Sequence, residues 1–252
     1  MYPSRLFAAL ALTLAVAGAH AQDLAATCHA SSSYDVTVNP SGLLFDRASP
    51  APRRVELQRG SLRTDGRAVP LRAEDRDRMA LFERELRALL PRVRQLAGNG
   101  VDIAVRTLHE QAGQLDLSAA TRAELDSRLA SRQAELKQRI ASSNSTHDWQ
   151  GDAASNYANQ ISADLLPLVA GDLGQQALNA AMGGDLQGAA ELRDRASDLA
   201  SQLKPLLEQR LQALRPQVAA LCPSIDRLAE LQQGVRDANG QPLDLLQVQR
   251  QP

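Results

Sequence analysis

Ser61-Leu-Arg-Thr-Asp65-Gly66-Arg-Ala-Val-Pro-Leu71, followed by Met79, Phe82, Leu86, Leu89 and Leu90, is where the chain changes its hydrophobic period. Before Leu71 the apolar residues alternate, and after it they step by three and four. Asp65-Gly66 is a strong hairpin signal, because both residues tolerate the positive φ that a tight primed turn requires. The switch predicts an antiparallel sheet that gives way to amphipathic helices. The fold class is therefore α+β and predominantly helical, with a small N-terminal antiparallel sheet of hairpins packed on the helices.

Working backwards, Tyr34-Asp-Val-Thr-Val38, Leu43-Leu-Phe45 and Val55-Glu-Leu57 extend the β-rich part to residues 34–71. Pro40-Ser-Gly42 reads as a turn and Ala48-Ser-Pro-Ala-Pro52 as a loop. Three to five strands are expected. A lone hairpin would be marginal, so the sheet must pack on something.

Working forwards, residues 73–235 read as helical. A first helix is expected over about 73–97. Pro91 should kink or break it, and Gly98-Asn-Gly100 should end it. A shorter helix then reaches about Gly113. The next runs over about 119–142, with Ser118 or Thr121 as its cap; Thr121 has Glu124 three residues on, a capping-box pattern. Asn144 to Gly151 is polar and reads as a loop. Ile161, Leu165, Leu166, Leu168 and Val169 mark another helix, interrupted by Pro167 and closed by Gly171. Gly171-Asp-Leu-Gly174 and Gly183-Gly-Asp185 read as helix stops. The longest pattern runs from Leu192 to Leu221, and Pro205 and Pro216 argue against one straight rod; Cys222-Pro223 restarts a helix. Asn239-Gly240 and Leu243 to Val248 suggest a last turn and strand.

The N-terminus carries Arg5, an apolar run from Leu6 to Gly18, then Ala19-His20-Ala21 before Gln22. This is the plan of a secretory signal, residues 1–21, with cleavage between Ala21 and Gln22. The run is shorter than the roughly 20 residues a bilayer requires. Thr27 before Cys28 lacks the small residue of a lipoprotein signal. Residues 22–252 form one mature domain in this reading, with a periplasmic location and no transmembrane segment. Cleavage leaves 252 − 21 = 231 residues, enough for a real core.

Export bears on the two cysteines. Cys28 and Cys222 make an even count in an oxidising compartment, and pairing is the default. The alternative is two free thiols, one of them at a partner or redox site. No Cys-x-x-Cys supports redox catalysis.

Charge excludes one class of partner. Removing Arg5 from the 28 basic residues leaves 27 against 29 acidic ones. That balance argues against nucleic acid, whose binding rests on phosphate neutralisation. The search for chemistry gives no catalytic, cofactor-binding or metal-binding assignment. His29, His109 and His147 have no i, i+4 partner among themselves. The sequence has no nucleophile elbow and no phosphate-binding glycine loop. Acidic residues such as Glu74-Asp75, Asp194 with Asp198, and Glu135 with Arg139 read as the wet faces of helices. Trp149 either anchors a helix to the core or stands in a groove. Asn144-Ser-Thr146 fits a glycosylation tripeptide.

Five stretches carry a family likeness: Cys28 to Val38, Leu62 to Leu71, Leu86-Arg-Ala-Leu-Leu-Pro91-Arg-Val93, Gly100-Val-Asp-Ile-Ala104, and Leu221-Cys-Pro-Ser-Ile-Asp-Arg-Leu228. Together they resemble the YggN-type family of uncharacterised periplasmic proteins from Gram-negative bacteria, a domain family of unknown function. The resemblance implies a periplasmic address and no particular activity. Two functions remain in play. One is a non-enzymatic envelope interaction or chaperone-like module that offers a helical face to a periplasmic protein partner. The other is a small-ligand-binding protein or hydrolase with a cleft between sheet and helices. Oligomeric state is not legible in the sequence.

Overall fold

A computed structural model describes residues 27–149 and 152–249. The signal segment and the Ala21–Gln22 cleavage site lie outside the described residues. The strands are β1 (Ala30–Ser31), β2 (Asp35–Asn39), β3 (Gly42–Asp46), β4 (Arg54–Gln58), β5 (Ser61–Thr64), β6 (Arg67–Val69) and β7 (Gln247–Val248). The helices are α1 (Ala73–Ala112), α2 (Ala119–Ser142), α3 (Asp152–Met182), α4 (Leu186–Leu211), α5 (Arg215–Ala219) and α6 (Cys222–Gln232), with 3-10 turns at Thr146–Trp149 and Gln212–Leu214. The architecture is α+β and mostly helical, as the change of period predicts.

The described residues form two compact units. A sheet unit holds residues 27–96, 142–149 and 215–249; a helical unit holds 97–141 and 152–214. Helix α1 contributes to both, and the division falls after Leu96.

In the sheet unit, β2 to β6 form an antiparallel meander in sequence order. Register places Leu43, Leu57 and Leu62 in one rank and Phe45, Val55 and Thr64 in the next. All six are buried, so one face of the sheet is dry, as period-2 alternation requires. Asp65 and Gly66 both take positive φ (48° and 78°), the primed turn expected. Arg59 and Gly60 do the same at the β4–β5 turn (47° and 78°), without a turn signal from the arginine. A Cβ on Gly60 would lie 2.4 Å from the Arg76 carbonyl oxygen, so α1 approaches this turn as only glycine permits. The buried Glu83 carboxylate accepts from the Arg59 amide (2.7 Å) and pairs with Arg87 (2.9 Å), fixing turn to helix.

Residues 144–146 cover the outer edge of β2. The Val38 amide donates to the Asn144 carbonyl (2.8 Å), Thr37 bridges Ser145, and the Val36 amide donates to Thr146 Oγ1 (2.9 Å). An open strand edge is an aggregation hazard, and this segment removes it.

Three prolines do not end their helices. Pro91, Pro167 and Pro205 all lie inside continuous helices, α1, α3 and α4. Each is exposed, so the carbonyl that loses its partner can be met by water on the wet side of the helix. Beyond Pro91, Arg92 donates to Ser224 Oγ and the Ala220 carbonyl (2.9 and 2.8 Å), and Arg94 to the Ser143 carbonyl, which tie the helix to its neighbours. Gly98-Asn-Gly100 and Gly171-Asp-Leu-Gly174 also fail as stops and lie inside α1 and α3; at the first, Leu96 and Thr107 are buried on either side. Gly183-Gly184-Asp185 does stop α3: Gly184 has φ +83°, and the Asp185 amide reaches the Ala180 carbonyl (2.9 Å). Pro216 and Pro223 sit at helix starts, where the missing amide costs little.

In the helical unit the core is Leu115, Leu117, Leu125, Leu129, Ile161 and Leu165, flanked by Val105, Leu108, Leu136 and Leu168. Ser118, the first of the two expected caps, accepts the Thr121 amide through its hydroxyl (3.2 Å). Asp172, from α3, accepts the Ser118 amide (2.9 Å) and the Thr121 hydroxyl (3.0 Å). These bonds, the Ser118 amide first, hold the Asp172 carboxyl below its ordinary range.

Candidate functional site

Helices α3 and α4 make an antiparallel hairpin whose composition differs from the rest of the chain. From Ile140 to Leu192 there is no lysine or arginine, and from Leu173 to Gly184 no charged residue at all. Apolar and small residues go round α3 without sorting into a wet and a dry face. A helix of that kind is normally buried. Beyond Leu165, however, no described residue of the hairpin is buried until Leu203. At its turn Leu178, Met182 and Leu186 are 53%, 79% and 72% exposed. No described helix is long and apolar enough to cross a membrane. The Asp185 side chain caps α4 by accepting the Gly188 amide (2.7 Å), so the turn that presents these residues is defined.

A polar cluster lies in the sheet unit. Asp35 and Asp46 are Cα partners across the β2–β3 ladder. The 3-10 turn brings His147 to them, with Nε2 2.8 Å from Asp46 Oδ2 and Nδ1 3.5 Å from Asp35 Oδ2. The hydrogen bond to Asp46 raises the imidazole pKa above its ordinary value; partial burial opposes this, and the charges of Asp35, Asp46 and Asp148 add to it. Thr146 Oγ1 donates to Asp35 Oδ1 (2.9 Å), fixing that carboxylate from behind.

A third feature is a groove of about 340 Å³ in the helical unit, lined by Asp102, Arg106, His109, Asp126 and Gln133 among others. Its acids already have partners. Asp102 accepts from Lys137 and Gln133 (2.7 and 2.5 Å), and Asp126 pairs with His109 (2.8 Å). Burial works to raise the Asp102 carboxyl, but the bonds from Lys137 and Gln133 outweigh it and hold it low.

A family model for a protein of unknown function, DUF2884, matches residues 28–246. That span runs from the first cysteine almost to the end of the described residues. The chain belongs to the DUF2884 family. The YggN-type resemblance read from the five stretches agrees with this. No curated protein and no solved structure matches the chain.

Within this DUF2884 chain, the Sγ atoms of Cys28 and Cys222 are bonded, with Cα atoms 5.1 Å apart and 194 residues of separation. Both lie in the sheet unit. A cleft between sheet and helices does exist there, of about 200 Å³, lined by Val36, Phe45, Phe82, Leu86, Ile225 and Leu228 with Ser31 and Ser32 at its side. Trp149 is half-buried and donates to Ser143 Oγ (2.8 Å). Glu135 pairs with Arg132 (2.8 Å); Glu74 and Asp75 stand in the first turn of α1, where the helix dipole favours them. His29 is exposed at positive φ. The Asp198 side chain lies outside the described residues. Sequence spacing missed the meeting of His147 with Asp35 and Asp46, although the Pro40-Ser41 turn sets the register that pairs the two aspartates.

Proposed function

We propose that the protein is exported to the periplasm and works there as a non-enzymatic interaction module, chaperone-like in that it holds apolar segments of other envelope proteins. The α3–α4 hairpin supports this reading: its Leu178, Met182 and Leu186 offer water an apolar surface that nothing in the chain's own core requires. The absence of lysine and arginine from Ile140 to Leu192 argues for a protein over a lipid occupant. Helices that lie on anionic membranes carry lysine and arginine on their polar face. The secretory signal plan of residues 1–21 and the Cys28–Cys222 bond support an oxidising compartment.

The ligand-binding alternative rests on the cleft in the sheet unit. Its volume is below the 300 Å³ or so where small-molecule pockets begin, and its walls lack convergent polar groups. The hairpin reading is the stronger.

The experiment is suppression of aggregation of an unfolding reporter enzyme, with the disulfide-bonded chain at equal molar ratio. Substituting Met182→Glu and Leu186→Glu together is expected to abolish most of the suppression. Because both side chains are exposed, stability should change by no more than about 0.5 kcal/mol. Equal suppression by the double variant, or none by the unsubstituted chain, contradicts the reading. Co-sedimentation with anionic lipid vesicles that the two glutamates abolish would reassign the surface to lipid.

A further inference from the structure

We propose that Asp35, Asp46 and His147 form a binding site for a divalent transition-metal ion of the zinc class. Placing two carboxylates directly opposite on paired strands is unfavourable, because like charges repel across the ladder. Arg47 is turned to Ser33 Oγ and the Pro50 and Pro52 carbonyls, over the Tyr34 ring. Arg54, across the ladder from Asp46, pairs with Glu56 (2.7 Å). What approaches the two aspartates is an imidazole, the commonest metal-ligating side chain.

One ligand atom from each residue lies within 4.8 Å of the others. A tetrahedral zinc with bonds near 2.0–2.1 Å sets its ligand atoms about 3.4 Å apart. An ion takes one ring nitrogen of His147, and Nδ1 lies at that spacing from Asp35 Oδ2, 3.5 Å. Asp46, whose Oδ2 meets the other nitrogen, Nε2, at 2.8 Å, must turn its carboxylate from Nε2 to the Nδ1 side, and both it and His147 are exposed enough to turn.

The support around the residues is that of a positioned site. Thr146 holds Asp35 by Oδ1 and leaves Oδ2 on the side of His147. Thr146 is itself fixed by the Val36 amide. The turn carrying the histidine is pinned to β2 by the Thr37–Ser145 bridge. Second-shell contacts of this kind orient metal ligands.

The donor set selects the ion. One nitrogen and two carboxylates suit a borderline cation such as zinc, cobalt or manganese. Calcium takes six to eight oxygens, and three residues do not provide them. Three protein ligands leave a coordination position for water.

The test is calorimetric titration of the disulfide-bonded chain with zinc chloride in a non-chelating buffer. One equivalent should bind, and His147→Gln and Asp46→Asn should each weaken binding by at least about tenfold. His109→Gln, at the other histidine–aspartate pair, should leave it unchanged. Zinc should also raise the thermal transition reported by Trp149 in the unsubstituted chain and not in His147→Gln. If His147→Gln fails to fold, Asp46→Asn carries the same comparison. No saturable zinc binding, equal binding by the variants, or calcium binding as tight as zinc overturns the proposal. The first of these would leave an imidazolium ion pair between the two aspartates.

Discussion

Opening the Cys28–Cys222 bond is expected to destabilise the sheet unit by about 2–5 kcal/mol. The bond closes a loop of 194 residues. In the chain-entropy model that loop corresponds to roughly 5 kcal/mol, an upper figure because the reduced chain keeps some structure. Both cysteines belong to the sheet unit, and so does Trp149, the single tryptophan of the chain. Urea unfolding followed by tryptophan fluorescence therefore reads the relevant unit. The midpoint should fall on adding reductant, and Cys222→Ser in the absence of reductant should give the same fall. An unchanged midpoint would mean that the covalent tie contributes nothing to folding.

Phe82→Ala should be nearly as costly, about 3–5 kcal/mol by the same fluorescence measurement. Phe82 is 1% exposed and sits in a run of aromatic rings, 6.1 Å from Phe45, which is 6.4 Å from Tyr34 edge-on. The ring joins α1 to the dry face of the sheet, so its loss leaves a cavity between two layers. Leu178→Ala, on the exposed hairpin, should by contrast stay within about 0.5 kcal/mol. A large loss at Leu178 would show that the hairpin surface belongs to the chain's own core.

The legible part of the fold was the part set by local chemistry. Asp65-Gly66 announces its turn because aspartate and glycine accept positive φ. Arg59-Gly60 makes the same turn unannounced, because only the approach of α1 at Arg76 demands it. The helix over 119–142 is plain from Leu125 and Leu129 and its serine cap. Pro91, Pro167 and Pro205 do not break their helices; local propensity counts the lost hydrogen bond and not the exposed side on which it is lost. At the sites, the register pairing Asp35 with Asp46 follows from a short turn. His147 comes from 101 residues beyond Asp46, and no spacing rule reaches that far. The stretch without lysine or arginine from Ile140 to Leu192 is visible in the sequence, but its meaning depends on finding that the turn end of the hairpin is exposed.

The most direct test is a photo-crosslinking amino acid placed at position 182, in the full chain from Met1 expressed in its native host. Irradiation should give discrete adducts with exported envelope proteins. The same probe at the exposed Glu74 should give none, and Leu178→Glu with Leu186→Glu should remove those at 182. Adducts equal at both positions, adducts that survive the glutamates, or adducts with cytosolic proteins alone would contradict the account.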